Sequence, residues 1–351
     1  MPCGIGDYTA QLAEALGKRG DAAVAVLTDA AARADRPDAH FEVYPVVKRW
    51  KITDFPEIAK VIRHWNPDIV HIQYPSQAYG RKLFPWLLPA LLLLMKRTTV
   101  QTWHEYYSNT LGSLRNILNA IIPGRLVVVR PHYQDMMPAW HRWLIRRKHV
   151  QFIPNASSLP RIRLSDSERT AIHERFTPSS KALLVFFGFM YPHKGVELLF
   201  DMADPALHHI VLVGNFQETE PYHKKLLAEI QNGPWSGNVT MTGFLPVDDT
   251  GRIIATADAV VLPFHEGGGI WNTSLHGAAI QGTFILTTSR EQHGYNALEN
   301  IYYARPGDVE DMRQALKAYL GRRNTETNIS QYATWDIIAQ AHIDLYRPLL
   351  N

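Results

Sequence analysis

The chain has 351 residues, a net charge of +3, and 46% apolar against 20% charged residues. At roughly 100–200 residues per domain, this length predicts two domains, each with apolar residues enough for its own core. The mild charge, with a sequence pI of about 8.8, excludes a basic nucleic-acid-binding footprint.

Cys3 is the only cysteine, so no disulfide forms within the chain and a reducing cytoplasm fits. Met1 runs straight into "PCGIGDYT", which is not a signal peptide. The longest apolar run, Leu83 to Met95, is shorter than the ~20 residues a spanning helix needs and contains prolines. It is read as a buried helix of a soluble protein.

In chain order, "GDYTAQLAEALGKRG" has helical spacing at Tyr8, Leu12 and Leu16 and ends on Gly20. The strands "AVAVLTD" and "HFEVYPVV" follow. "FPEIAKVIRHWNP" is a helix that stops before Pro67, and "DIVHIQYP" is a strand. The Leu-rich helix leads to the strand "TTVQTWHE", a helix around Leu111 to Ile121, the strand "RLVVVR", a further helix, and the strand "VQFIPN". Short apolar strands separated by helices predict a parallel sheet covered on both faces. The polar stretch 156–180 breaks this pattern and is read as the connection between residues 1–155 and a second alternation over 181–327. That alternation runs through "ALLVFFGF", "HIVLVGN", "VTMTGF", "AVVLPF" and "TFILTT", with a helix after each of the first four. The helix "DVEDMRQALKAYLGRR" and a closing helix within 328–351 complete the chain. The expected fold class is α/β, with two tandem Rossmann-like doubly wound domains facing a cleft, where the switch-point rule places ligands.

Polar residues gather at the strand ends. Gly4-Ile5-Gly6 opens a helix, a turn that suits a phosphate and equally serves plain turn chemistry. His104 ends an apolar strand. Lys194 follows Gly188-Phe189 at a helix start, where a cation suits a phosphate oxyanion and where a solvated lysine is equally at home. Glu266 precedes Gly267-Gly268-Gly269 and the polar run Asn272, Thr273 and Ser274. Glycines there admit a ligand to backbone N–H groups while Glu266 accepts from hydroxyls, and a sugar joined to a diphosphate offers both.

The motifs "GIGDYTAQLAEALGKRG", "DIVHIQYP", "TVQTWHE", "VQFIPN", "FFGF…HKG", "VTMTGFLP", "ATADAVVLPF", "EGGG…SLHGA" and "TWDIIAQAHIDLY" occur in the order seen in retaining GT-B glycosyltransferases of family 4, also called group 1. The chain resembles that family over nearly its whole length. The sequence has no Asp-x-Asp motif and no His/Cys cluster of ligand spacing, so no metal is required. The resemblance implies a nucleotide-sugar donor of UDP or GDP type and no other cofactor. It implies that Gly4, Gly6 and Gly188 lie near the donor diphosphate, His104 near the transferring sugar, and Lys194 on the leaving diphosphate. Glu266 with the Gly268 and Gly269 amides would hold the sugar, beside Asn272, Thr273 and Ser274. The acceptor would be a saccharide or lipid-linked molecule in cytoplasmic surface-polysaccharide or glycolipid synthesis, and "YPSQAYGRKL" is the expected acceptor-side loop.

Three departures from the family pattern stand out. Ser274 occupies the place of a second, ribose-binding glutamate. Phe189 stands where the family often has arginine, leaving Arg130 or Arg290 to substitute. A glycine-rich turn needs a strand before it, yet only Met1, Pro2 and Cys3 precede Gly4, so the natural start is expected some ten residues upstream. The departures keep a non-catalytic scaffold or partner subunit open as an alternative, and the architecture alone is shared with sugar-nucleotide epimerases. "PAWHRWLIRRKHV", Pro138 to Val150, mixes Trp140, Trp143 and Leu144 with arginines. That suits peripheral contact at the inner membrane face, and equally a basic solvated helix over packed tryptophans.

Overall fold

The computed structural model describes residues 4–32, 38–75, 79–80, 82–104, 117–177, 181–324 and 334–350. Cys3, Glu105, the 111–116 part of the expected helix, and Ser76, Gln77, Ala78 and Arg81 of the expected acceptor-side loop lie outside them. The chain divides into two compact units, Met1–Asn155 with Ala333–Asn351, and Ala156–Tyr332.

In the first unit, α1 (Gly4–Lys18) buries Tyr8, Leu12 and Leu16 along one face, and Gly20 at φ +73° turns the chain away. Strands β1 (Ala25–Asp29) and β2 (Glu42–Val47) pair in parallel. Helix α2 (Phe55–Trp65) ends on Asn66 in the left-handed conformation, with Pro67 barring continuation. Then come β3 (Ile69–Tyr74), α3 (Phe84–Leu94), β4 (Thr98–Trp103), α4 (Ile117–Ile121), β5 (Arg125–Val128), α5 (Ala139–Ile145) and β6 (His149–Phe152). These four strands form a parallel sheet in the order β3-β4-β5-β6. Because each crossover steps to the next strand and such crossovers are right-handed, α3, α4 and α5 share one side of the sheet. No described strand joins β1 to β3, and α1 packs against both.

The second unit opens with α6 (Asp166–Phe176), inside the stretch read as a connection. The Ser165 hydroxyl accepts from the Glu168 N–H, and the Ser165 N–H donates to the Glu168 carboxylate, a reciprocal cap. The unit continues with β7 (Ala182–Phe187), α7 (Leu198–Met202), β8 (His208–Val213), α8 (Pro221–Asn232), β9 (Val239–Gly243), α9 (Val247–Thr256), β10 (Ala259–Leu262), α10 (Thr273–Ala279) and β11 (Ile285–Thr288). A short antiparallel pair not expected from the sequence, β12 (Gly294–Asn296) and β13 (Ile301–Ala304), extends the edge before α11 (Val309–Tyr319). The seven-stranded order is β12-β13-β11-β10-β7-β8-β9. Its central strands are apolar on both faces: Leu183 to Phe186, Ile210 to Leu212 and Val260 to Leu262 are almost wholly buried, as helices on both sides require.

The closing helix α12 (Trp335–Tyr346) starts at Thr334, whose hydroxyl accepts from the Ile337 N–H, and packs on α1 of the first unit. One expectation is corrected at α3. Phe84, Trp86, Leu88 and Leu92 are buried, but Leu83, Leu87, Leu93 and Leu94 are exposed. A helix apolar all round has been laid on a surface, so only its inner row reaches the core.

Candidate active site

The second unit brings Lys194 and Glu266 onto two loops stitched together by backbone. After β7 the chain turns at Gly188, with φ +126°, and a Cβ on Gly214 would lie 2.2 Å from the Gly188 carbonyl oxygen. The first glycine thus supplies the turn, and the second lets the ends of β7 and β8 approach. A 3-10 turn, Pro192–Lys194, follows and closes at Gly195 with φ +66°. A Cβ on Gly195 would fall 2.2 Å from the Pro263 carbonyl oxygen, so only glycine lets this turn sit against the segment after β10. The His265 N–H donates to the His193 carbonyl at 3.1 Å, and the Lys194 ammonium lies 4.6 Å from the Phe264 ring centroid. Phe264 holds the cation by its π face.

A side-chain tie runs beside this backbone stitch. The Glu197 carboxylate accepts from the Tyr222 hydroxyl and pairs with His265 Nε2 at 2.6 Å. Burial would raise the Glu197 carboxyl, but the bonds from Tyr222 and His265 outweigh it and hold it below its ordinary value. Sequence reasoning missed this triad, whose members lie 25 and 68 positions apart. The only sequence signal is a carboxylate three residues after Lys194.

The glycine run has a different physical basis from the one expected. Gly267 has φ +85°. The Gly268 N–H donates to the Thr288 carbonyl at 2.7 Å, and a Cβ there would meet the Phe264 ring at 2.6 Å. The Gly269 N–H donates to Asn272 Oδ1 at 2.9 Å, and a Cβ there would meet the Trp271 ring at 2.3 Å. The amides expected to be bare are therefore engaged within the loop, and close aromatic packing excludes side chains at Gly268 and Gly269. Asn272, at the N-cap position of α10, turns back to Gly269 instead of capping its own helix. Buried His276 pairs through Nε2 with the Ile270 carbonyl at 2.6 Å and anchors the far side of the loop. Glu266 is exposed at the loop's edge, and Arg290 Nε donates to its carbonyl at 3.1 Å. Of the two substitute cations expected, Arg290 is thus the one beside Glu266. Thr273 and Ser274 occupy the first turn of α10. Phe189 stacks on Tyr191, which stacks on His193, so the position where the family often has arginine starts an aromatic ladder.

The remaining expected residues belong to the first unit. Gly4 and Gly6 are exposed in the first turn of α1. His104 follows β4, its N–H bonded to the Tyr74 carbonyl at 2.7 Å. Its Nε2 lies 2.8 Å from Gln73 Oε1, and the Tyr8 ring meets it edge-on at 4.6 Å. Because that Gln73 oxygen only accepts, Nε2 carries the proton. Burial, and then the charge His342 would carry, push the His104 pKa down to about 3, so the imidazole is neutral.

Family comparison reaches both units. A model described as a glycosyl transferase 4-like domain matches residues 3–186, and one described as glycosyl transferases group 1 matches residues 181–322. The chain belongs to this glycosyltransferase family. A comparison with curated proteins gives no match. Among solved structures it resembles Anabaena HepE in complex with UDP and glucose, with TM-score 0.75 and 16% identity over 99% of this chain and 97% of that one. Sucrose-phosphate synthase from Thermosynechococcus elongatus gives TM-score 0.74 and 16% identity over 99% and 94% of the respective chains. WaaG, a glycosyltransferase involved in lipopolysaccharide biosynthesis, gives 0.61 and 16% over 98% and 93%. These likenesses establish the GT-B fold for this glycosyltransferase.

Proposed function

We propose that this glycosyltransferase moves a sugar from a nucleoside-diphosphate donor of UDP or GDP type to a saccharide or lipid-linked acceptor, with retention of anomeric configuration and without a metal. The observation that carries the reading is the backbone stitch that holds Lys194 and Glu266 on adjoining loops after β7 and β10. It joins a fixed cation for a diphosphate to a carboxylate for sugar hydroxyls. HepE, the neighbour solved with UDP-glucose, supports a nucleotide-sugar donor.

In this reading the bond from the sugar's anomeric carbon to the diphosphate oxygen breaks, and a bond to the acceptor oxygen forms on the same face. The acceptor's proton passes to the departing phosphate oxygen, so atoms balance without a protein base. The protein's part is to position the donor and stabilise the developing charge. Lys194 takes the diphosphate, with Arg290 beside it. Glu266 accepts from sugar hydroxyls, and Ser274 offers a hydroxyl to the ribose. Gly188 leaves room at the end of β7. Asn272 releases the Gly269 N–H to the ligand, with Gly268 and Thr273 shaping the same wall. From the first unit, Gly4 and Gly6 are assigned to the diphosphate, and neutral His104 serves the transferring sugar as a hydrogen-bonding group. The setting is cytoplasmic synthesis of surface polysaccharide or glycolipid.

The test is to incubate the protein with UDP-glucose, UDP-galactose or GDP-mannose and a saccharide acceptor library in chelator, and to assign the product's anomeric configuration by NMR. An α-linked product from an α-linked donor is expected. Inversion, or activity only after a divalent cation is restored, contradicts the mechanism.

A further inference from the structure

Among the described residues, the outer row of α3 is an apolar surface without a partner in the first unit. Apolar all round, a helix of this kind is normally buried, yet Leu83 is 60% and Leu94 81% exposed, and Leu87 and Leu93 are exposed between them. Leu83, Leu87 and Leu94 fall on one stripe at helical spacing. The surface does not end with α3. Helix α4 packs against both α3 and α5, and all three lie on one side of the parallel sheet. Ile121 at the end of α4 is exposed, as are Trp140 and Trp143 of α5, the latter by 58%. The tryptophans that a solvated helix would pack inward point outward instead.

The charged residues on and just after these helices are basic. Arg142, Arg146 and Arg147 are exposed on and just after α5, and Lys96 is exposed just beyond α3. The Arg146 guanidinium lies 4.7 Å from the Trp143 ring centroid. From Lys82 to Asn155 the only acidic residues are Glu105 and Asp135. A broad apolar face normally marks an interaction site. Exposed indoles beside arginines suit the boundary of headgroups and acyl chains, where a ring is half dry and a guanidinium meets phosphate. Among the described residues no helix is long and apolar enough to cross a membrane. At 11 residues, α3 spans roughly 16 Å against a hydrocarbon core of ~30 Å, so it would lie in the interface plane.

We infer that the α3–α4–α5 layer docks the first unit onto an anionic phospholipid surface, with the leucine row and the two tryptophans inserted and the arginines on the headgroups. The inference stands on this face alone and does not depend on the donor reading.

The test is co-sedimentation of the full chain at low salt with vesicles of phosphatidylcholine alone and of equal parts phosphatidylcholine and phosphatidylglycerol. Binding to the anionic vesicles is expected to be at least about tenfold stronger and to weaken with salt. Leu87→Gln with Leu94→Gln, and separately Trp140→Ser with Trp143→Ser, should each weaken it by about tenfold or more, with the far-UV circular dichroism spectrum unchanged. Three results overturn the inference. One is no binding at low salt. Another is binding that Arg142→Gln with Arg146→Gln abolishes but the leucine pair leaves intact. The third is a dimer in sedimentation velocity that the leucine and tryptophan variants split, which assigns the face to a second copy.

Discussion

Lys194 and Glu266 stand at the edge of loops, half-buried and exposed respectively, while His104 is buried beneath Tyr8 and bonded to Gln73. The first pair takes its geometry from the main chain: the His265-to-His193 bond and the close approach of Gly195 to Pro263. The second region keeps its geometry by burial and gives up its charge in exchange. In the proposed reading a cation for a diphosphate needs the first arrangement, whereas a neutral imidazole whose Nε2–H is already given to Gln73 can still accept one hydrogen bond from a sugar hydroxyl in the second. Substitutions at the two places should therefore fail in different ways.

The largest expected effect is at Lys194. Lys194→Ala should lower kcat on the order of 10²–10³-fold, the range for a lost charge-stabilising donor, with little change in thermal stability. Activity within about threefold of wild type in steady-state assays would remove Lys194 from the charge-stabilising role.

Next comes packing in the glycine run. Gly268→Ala forces a methyl against the Phe264 ring and should cost roughly 1–3 kcal/mol in denaturant unfolding, as overpacking does. A neutral result would show that the loop yields.

The acid response tests the burial of two histidines in the first unit. Burial pushes His104 to about 3 and His342 to about 4, against an ordinary value near 6.5. Between those limits the unfolded chain binds protons that the folded chain refuses, so stability falls as pH drops. Each histidine contributes up to about 1.4 kcal/mol per pH unit. Thermal unfolding followed from pH 7 to pH 4.5 should show a steeper loss in wild type than in His104→Gln with His342→Gln. Equal slopes would contradict buried neutral imidazoles.

The smallest expected effect is at the tie. Glu197→Gln keeps the shape but weakens the bonds to Tyr222 and His265, and should lower kcat by about fivefold, roughly 1 kcal/mol, the size of an ordinary hydrogen bond. Because Glu197 touches no expected ligand, the Kd for nucleotide should move less than kcat. The reverse split would place Glu197 in direct contact with the nucleotide.

Much of the fold was legible because burial on both faces leaves its mark in one dimension. "ALLVFF" and "HIVLV" have no polar alternation, and Gly20 and Asn66-Pro67 mark where α1 and α2 stop. Strands β12 and β13, three and four residues long, are too short for a period to show. Helix α6 was overlooked because it buries no residue, although Ser165 and Glu168 carried its cap in plain view. The apolar run at α3 was legible as a helix but not as a surface, since periodicity cannot say which row lacks a partner. At the site, residue types were readable at Lys194 and Glu266. The reason for Gly268 and Gly269 was not, because it depends on where Phe264 and Trp271 place their rings. The Glu197–Tyr222–His265 tie depends on two loops meeting the first turn of α8, which no local pattern records.

The most direct test of the central claim is calorimetric titration of the full chain with UDP and with GDP, in chelator, for wild type, Lys194→Ala and His104→Gln. The account predicts micromolar binding of one nucleotide, at least about tenfold weaker in Lys194→Ala, as loss of a charge-assisted bond implies, and little changed in His104→Gln. Binding of neither nucleotide, or equal binding to wild type and Lys194→Ala, would contradict it and favour a non-catalytic scaffold of the same fold.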